Sequence, residues 1–445
     1  MSNKKRLTAL AALAVIIIAS ALVSAPTPIS ATSAAGAINT GDTAWMLAAT
    51  GLVLLMTPGL AFFYGGMISR QHVVTTMFQS FIAMGVVSLL WVSVAFSLSF
   101  GPSFHGIIGD PRHFFMFRNV GLGSDPVLSP TIPLALFALF QMKFAIITPA
   151  LITGTFAERI KFSAFIMFMI LFTLLVYAPL AHWTWHPDGI LRKWGVLDFA
   201  GGTVVHMTAG FAGLAGALTV GRPKGGGGHH VIPANIPFVL LGTGLLWFGW
   251  FGFNAGSQLA ADGGAVTAFL TTNTAAAAAM VVWLLIDVIS GRRATALNAA
   301  IGSVVGLVAV TPAAGFITVG ASVLIGAIAA MVSNLAVNAQ WLKSRLADTL
   351  DVFACHGIGG VVGMILTAVF ANKGGAITGE YTLLLKHLAA TVLVGLFAFV
   401  MSAMLYRVVG FISSLTHFDH ESFDAQEEQD ESPEIFAKRS ALPGV

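Results

Sequence analysis

Residues 162–181, FSAFIMFMILFTLLVYAPLA, carry no charge along their whole length. A helix rises about 1.5 Å per residue, so about 20 apolar residues cross the ~30 Å hydrocarbon core of a bilayer. Arg159 and Lys161 precede the run, and Arg192 and Lys193 follow it. The stretch therefore reads as a transmembrane helix flanked by charged loops. Ten other runs of the same kind lie near 44–67, 73–100, 131–155, 201–220, 236–257, 264–290, 296–310, 317–339, 351–371 and 383–413. The run at 296–310 is the shortest. The expected fold is an all-α membrane protein of eleven transmembrane helices.

Composition agrees. Of 445 residues, 56% are hydrophobic and only 9% charged, against about 25% charged in soluble domains. That excludes a soluble globular enzyme and a disordered chain. The net charge of +3 is spread in ones and twos between apolar runs, which excludes a nucleic-acid-binding surface. The single cysteine, Cys355, excludes a disulfide framework within the chain and a Cys-based metal cluster. No cofactor, metal or enzymatic activity is expected.

The ends read separately. Lys4, Lys5 and Arg6 precede the apolar run from Leu7 to Val23, and small residues follow to Ala37. This is the pattern of a secretory signal peptide, assigned to residues 1–34. A transmembrane domain over 42–413 follows, then a tail over 414–445 that holds eight acidic residues between Asp419 and Glu434. With the mature N-terminus outside, the loops expected in the cytoplasm hold Arg70, Arg159, Lys161, Arg222, Lys224, Arg292, Arg293, Lys343 and Arg345. The opposite loops hold Arg112, Arg118, Arg192, Lys193 and Lys373. Nine against five fits the positive-inside rule and puts the tail in the cytoplasm.

Features recur five runs apart. Asp198 opens the fifth run and His206 lies within it; Asp351 opens the tenth and His356 lies within it, so each Asp could cap or orient the start of its run. A Gly- and Phe-rich stretch at 58–66 is echoed at 248–256. An odd offset places two halves in opposite orientation, so a 5+5 inverted repeat plus one extra helix is expected, with the pathway between the halves.

Ionisable groups inside such runs are costly and point to a pathway or a pair. Asp287 beside Arg292 and Arg293 reads as a structural ion pair. His182, Lys386, His387 and Arg407 lie toward run ends and read as reaching the interface. His206 and His356 sit among small or apolar neighbours at repeated positions. Two imidazoles sharing a hydrogen bond there could guide a small polar neutral molecule or pass a proton. Phe140 and Phe144 are four apart, hence on one helix face, and ring faces attract cations.

The stretches 198–206 (DFAGGTVVH), 249–257 (GWFGFNAGS) and 351–357 (DVFACHG) resemble signatures of the ammonium transporter (Amt) family, as do 156–159 (FAER) and 311–315 (TPAAG). The resemblance runs from about Asp42 to Gly410. It implies transport of ammonium, with methylammonium as an analogue, by a homotrimer in the inner membrane of a bacterial cell. Phe140, Phe144, Trp185 and Ser257 would form an outer NH4+ site, and Phe144 and Phe253 a gate beneath it. His206 and His356 would be twin histidines of an apolar NH3 pore walled by Leu60, Phe63, Trp250 and Val352. Asp198 would be a structural and proton-handling acid. Net charge transfer is the expected outcome; an ammonium sensor on the same fold, or a passive channel for NH3 or CO2, are the alternatives. Lys143 departs from the family pattern and is expected to snorkel or pair. The tail lacks the family's Gly-Leu-Asp and His-Gly-Glu pattern, so a PII-type regulator is not implied.

Overall fold

A computed structural model describes residues 38–157, 159–221 and 232–415. The expected signal peptide, most of the acidic tail, Glu158, and Arg222 and Lys224 lie outside the described residues.

Helices occupy every apolar run. They are α1 (Thr40–Met67), α2 (Arg70–Phe100), α3 (Leu134–Phe156), α4 (162–185), α5 (202–219), α6 (Ile236–Gly256), α7 (Gly263–Ile289), α8 (Ala296–Val310), α9 (Val319–Asn338), α10 (Phe353–Phe370) and α11 (Thr382–Leu415). Among the described residues, nine helices are long and apolar enough to cross a membrane. The helices at 202–219 and 296–310 occupy the other two runs.

Their starts follow local chemistry. Each helix leaves its first amides unpaired, and a short polar side chain just before it can accept one of them. Asn39 accepts from Asp42 N, Asn235 from Phe238 N, Asp262 from Gly264 N and Ala265 N, and Thr318 from Ala321 N.

The apolar-run reading did not anticipate two short antiparallel hairpins between α2 and α3. Strand β1 (Ser103–Phe104) pairs with β2 (Ile108–Gly109), and β3 (Ser124–Asp125) with β4 (Ser129–Pro133). Such short strands have too few residues to show an alternating pattern. They mark one end of the bundle, here the hairpin face.

The packing repeats with an offset of five. α1 contacts α3 as α6 contacts α8; α2 contacts α4 as α7 contacts α9; α3 contacts α5 as α8 contacts α10. α1 and α6 lie along each other, and α11 covers α4, α5 and α10 from outside. Asp287 behaves as expected. It is fully buried, pairs with Arg292 at 2.9 Å, and accepts from Asn298 at 2.7 Å and Asn334 at 3.1 Å.

Two histidines do not reach an interface. His182 is fully buried; its Nδ1 donates to Ser99 O at 2.9 Å and its Nε2 meets Ser103 Oγ at 2.7 Å. His387 is also fully buried, donating through Nδ1 to Met364 O at 2.7 Å and accepting Leu197 N–H at Nε2. Position near a run end suggested exposure. The folded-in loops 101–110 and 195–198 supply partners that a linear reading cannot see.

Candidate functional site

The fifth helix begins with a carboxylate wrapped in donors. Asp198 accepts from Gly201 N and Gly202 N at 2.8 and 2.7 Å and from Thr203 N at 2.7 Å, and the Thr203 hydroxyl donates to it as well. Gly201 stands at φ 116°, a conformation that a side chain would strain. That turn points three successive amides at one carboxylate. The first turns, Gly202–Met207, are wide π turns, and His206 lies within them. Such turns are uncommon and re-aim side chains, frequently at functional sites.

The tenth helix repeats this arrangement, with one correction to the sequence reading. Phe353–Ile358 is again a π stretch, and His356 lies within it. The carboxylate that caps it is Asp348, whose Oδ2 accepts from Phe353 N at 2.7 Å; it is not Asp351, which sits in the left-handed region at φ 55°. Asp348 precedes His356 by the same eight residues that separate Asp198 from His206. Equal spacing was the available signal.

The two helices meet at glycines. A Cβ on Gly210 would stand 2.1 Å from Gly357 N, so only bare backbone fits there. This contact brings His206 Nδ1 and His356 Nδ1 to 3.3 Å, with both rings buried and 5.4 Å apart at their centres.

Neighbouring bonds fix the protons of the pair. His206 Nε2 lies 3.3 Å from Thr311 Oγ1. That hydroxyl donates its hydrogen to Leu307 O at 2.8 Å and accepts the Trp250 indole N–H at 2.9 Å. It can only accept from His206, so His206 Nε2 carries the hydrogen. His206 Nδ1 is then the acceptor, His356 Nδ1 the donor, and His356 Nε2 a bare acceptor. The sequence reading quoted Thr311 in a motif without giving it a role.

Aromatic rings continue the column away from the histidines. His206 stacks on Trp250 at 5.3 Å and 19°, and lies 5.9 Å from Phe253. Phe253 and Phe144 face each other at 4.2 Å and 30°. Phe144 meets Trp185 edge-on at 5.6 Å and Phe140 at 5.0 Å. Trp185 is half-buried, and its indole N–H donates to Asp198 O at 3.3 Å. Phe140 is fully buried, against the Gly256 backbone. The half-buried Ser257 donates to Phe253 O at 2.8 Å, leaving its oxygen able to accept. Lys143 is half-buried and its ammonium meets Met142 Sδ at 3.7 Å rather than a carboxylate.

A narrow cavity lies beside the pair, with a volume of about 10 Å³, roughly one water-sized sphere. Leu60, Phe63, Trp250 and Phe253 line it with His206 and His356, as do Met56, Ile147, Leu151, Val205, Leu246 and Val304. Val352 is not in this lining. It packs against Gly154 and Gly213 instead. The added wall residues are ordinary helix apolars, indistinguishable in sequence from core.

The sequence profile of the Ammonium Transporter Family matches residues 44–431. A putative ammonium transporter of Methanothermobacter thermautotrophicus is 47% identical over 83% of this chain and 91% of that relative. The crystal structure of Candida albicans Mep2 superposes with a TM-score of 0.81 at 31% identity, covering 91% of this chain and 92% of that one. A structure described as a sensor Amt protein has a TM-score of 0.78 at 28% identity, covering 87% and 96%.

Proposed function

The chain belongs to the ammonium transporter family, and we propose that it carries ammonium across the inner membrane of a bacterial cell by passing NH3 through the cavity beside His206 and His356. The observation that carries this reading is the 3.3 Å contact between the two Nδ1 atoms at a cavity otherwise lined by apolar side chains.

The chemistry follows from the cost of desolvation. An ammonium ion in an apolar pore is prohibitive, whereas NH3 is small and neutral. In this reading NH4+ is drawn to the ring faces of Phe140, Phe144 and Trp185, with Ser257 Oγ accepting one N–H. It gives up its proton to water at that outer mouth, and NH3 passes the Phe144–Phe253 stack. His356 Nε2 then accepts an N–H from NH3, offsetting the solvation it has left. K+ has no proton to give up and is rejected. The proton crosses by a separate route, so charge moves with each NH3. Asp198, its oxygens filled by four donors, holds α5 in place.

The topology proposed with this function has eleven spans in a 5+5 inverted repeat plus one, preceded by a signal peptide at 1–34. The hairpin face lies outside, the tail lies in the cytoplasm, and three copies assemble with one pore each. The test is labelled methylammonium uptake in cells lacking their own transporter. Uptake blocked by excess ammonium, and a current evoked by ammonium in proteoliposomes, are the expected results; ammonium flux without current overturns net charge transfer.

The likeness to the sensor Amt protein favours a second reading, in which the same pore reports ammonium rather than supplying it. Cells that grow on limiting ammonium only when they carry this chain exclude that reading.

A further inference from the structure

Lys143 and Asn273 are polar side chains set in the outward faces of two membrane helices. Of the 23 residues of α3, only Ala135, Leu139 and Lys143 escape burial. Spaced by four, they form one stripe, and Leu139 on it is 40% exposed. On α7, Asn273 is exposed between Leu270 and Val281, each 51% exposed. Its carboxamide meets no partner among the described residues. Lys143 reaches Met142 Sδ, a weak acceptor, and no carboxylate among the described residues.

The two groups lie at one depth. Both helices begin on the hairpin face: β4 leads into α3, and Asp42 in the first turn of α1 accepts Ala261 N just ahead of α7. Lys143 is nine residues into α3 and Asn273 ten into α7, about 14 and 15 Å down at 1.5 Å per residue. That is near the middle of a ~30 Å hydrocarbon layer, where an unpaired ammonium and an unpaired amide are both costly. Their needs are complementary, since the ammonium has donors alone and the amide oxygen accepts. They do not meet within one chain: α1 packs on α3 and α6, and α6 packs on α7, so two helices stand between them. A Cβ on Gly51 of α1 or Gly244 of α6 would meet nothing within 4 Å, so those faces offer bare backbone that another helix can approach.

We propose that Lys143 of one copy donates to Oδ1 of the partner's Asn273 across the interface between copies of this chain. Two different surfaces meet in such a contact, and a head-to-tail contact of this kind can close into a ring. The bond rests on the assembly of three copies proposed above and is independent of the pore mechanism. Lys143 departs from the family pattern, so the bond belongs to this chain rather than to the family's common interface.

Native mass spectrometry of the purified protein across a detergent titration reads the ratio of trimer to monomer. Lys143→Met and Asn273→Leu, both perimeter changes, should each weaken the contact about 3- to 20-fold, the span of single hydrogen bonds between helices in lipid. The double variant should be no weaker than either, because removing both partners leaves no polar group unsatisfied. Asn273→Asp should strengthen the trimer where Lys143 is present and weaken it beside Lys143→Met. Trimers of unaltered strength in both single variants overturn the proposal, and assign Lys143 to the head groups. So do losses that simply add in the double variant. A monomeric parent chain removes the three-copy reading and the bond with it, whereas a trimer whose two positions are uncoupled removes the bond alone.

Discussion

Trp250 and His206 are joined through one hydroxyl: the Trp250 indole N–H reaches Thr311 Oγ1 at 2.9 Å, and His206 Nε2 lies 3.3 Å from the same atom. Because Thr311 spends its own hydrogen on Leu307 O, the hydroxyl sets which nitrogen of each histidine carries a proton. Thr311→Val keeps the shape and removes the acceptor. Methylammonium uptake is expected to fall about 10- to 100-fold, as when a partner that orients a ligating group is lost. Thr311→Ser should retain most of the rate. Full uptake in Thr311→Val shows that the hydroxyl does not order the pair.

The Gly210–Gly357 contact positions the histidines by excluding side chains. Gly210→Ala would place a methyl 2.1 Å from the Gly357 amide nitrogen, and backbone cannot step aside as a flexible side chain does. The expected cost is about 3 kcal/mol or more, seen as a lower melting temperature in detergent and a loss of monodisperse protein. A folded Gly210→Ala chain of wild-type stability contradicts the close approach.

Asp198 and Asp348 cap corresponding helices but differ in donors. Asp198 takes three amides and a hydroxyl, whereas Phe353 N is the cap bond given to Asp348. Asp348→Ala is expected to cost about 1 kcal/mol, the usual value of a cap. Asp198→Ala should cost about 3 kcal/mol because several buried donors lose a charged partner. Asp351→Ala should change stability least. Thermal unfolding of the three variants side by side checks the order; Asp351→Ala as the most damaging of them restores the pairing read from sequence.

Trp185 completes the proposed cation site, and its contribution is a binding energy. Trp185→Leu removes a ring face worth about 0.5–2 kcal/mol. The apparent KM for methylammonium should rise between about 2- and 30-fold with the maximal rate largely kept. An unchanged KM removes Trp185 from substrate recruitment.

Much of this molecule is present in the one-dimensional pattern. Uncharged runs near 20 residues mark helices because unsatisfied backbone is intolerable in hydrocarbon. Isolated histidines in such runs stand out because polar groups there are rare. The family resemblance names Leu60, Phe63, Trp250 and Phe253, and the structure gathers them with His206 and His356 around one cavity.

Other features needed the third dimension. The capping role of Asp348 over Asp351 depends on a left-handed turn at Asp351 that composition does not reveal. Val352 packs against Gly154 and Gly213 rather than lining the cavity, a contact between helices that the chain order does not show. His182 and His387 are buried because distant loops fold over them. Sequence alone determined that the chain is helical, apolar and built around two rare histidines, since those follow from composition and local periodicity. Only the tertiary structure decided which atoms meet and which nitrogen holds each proton, because hydrogen bonds act over about 3 Å between residues such as Thr311 and His206, far apart in the chain.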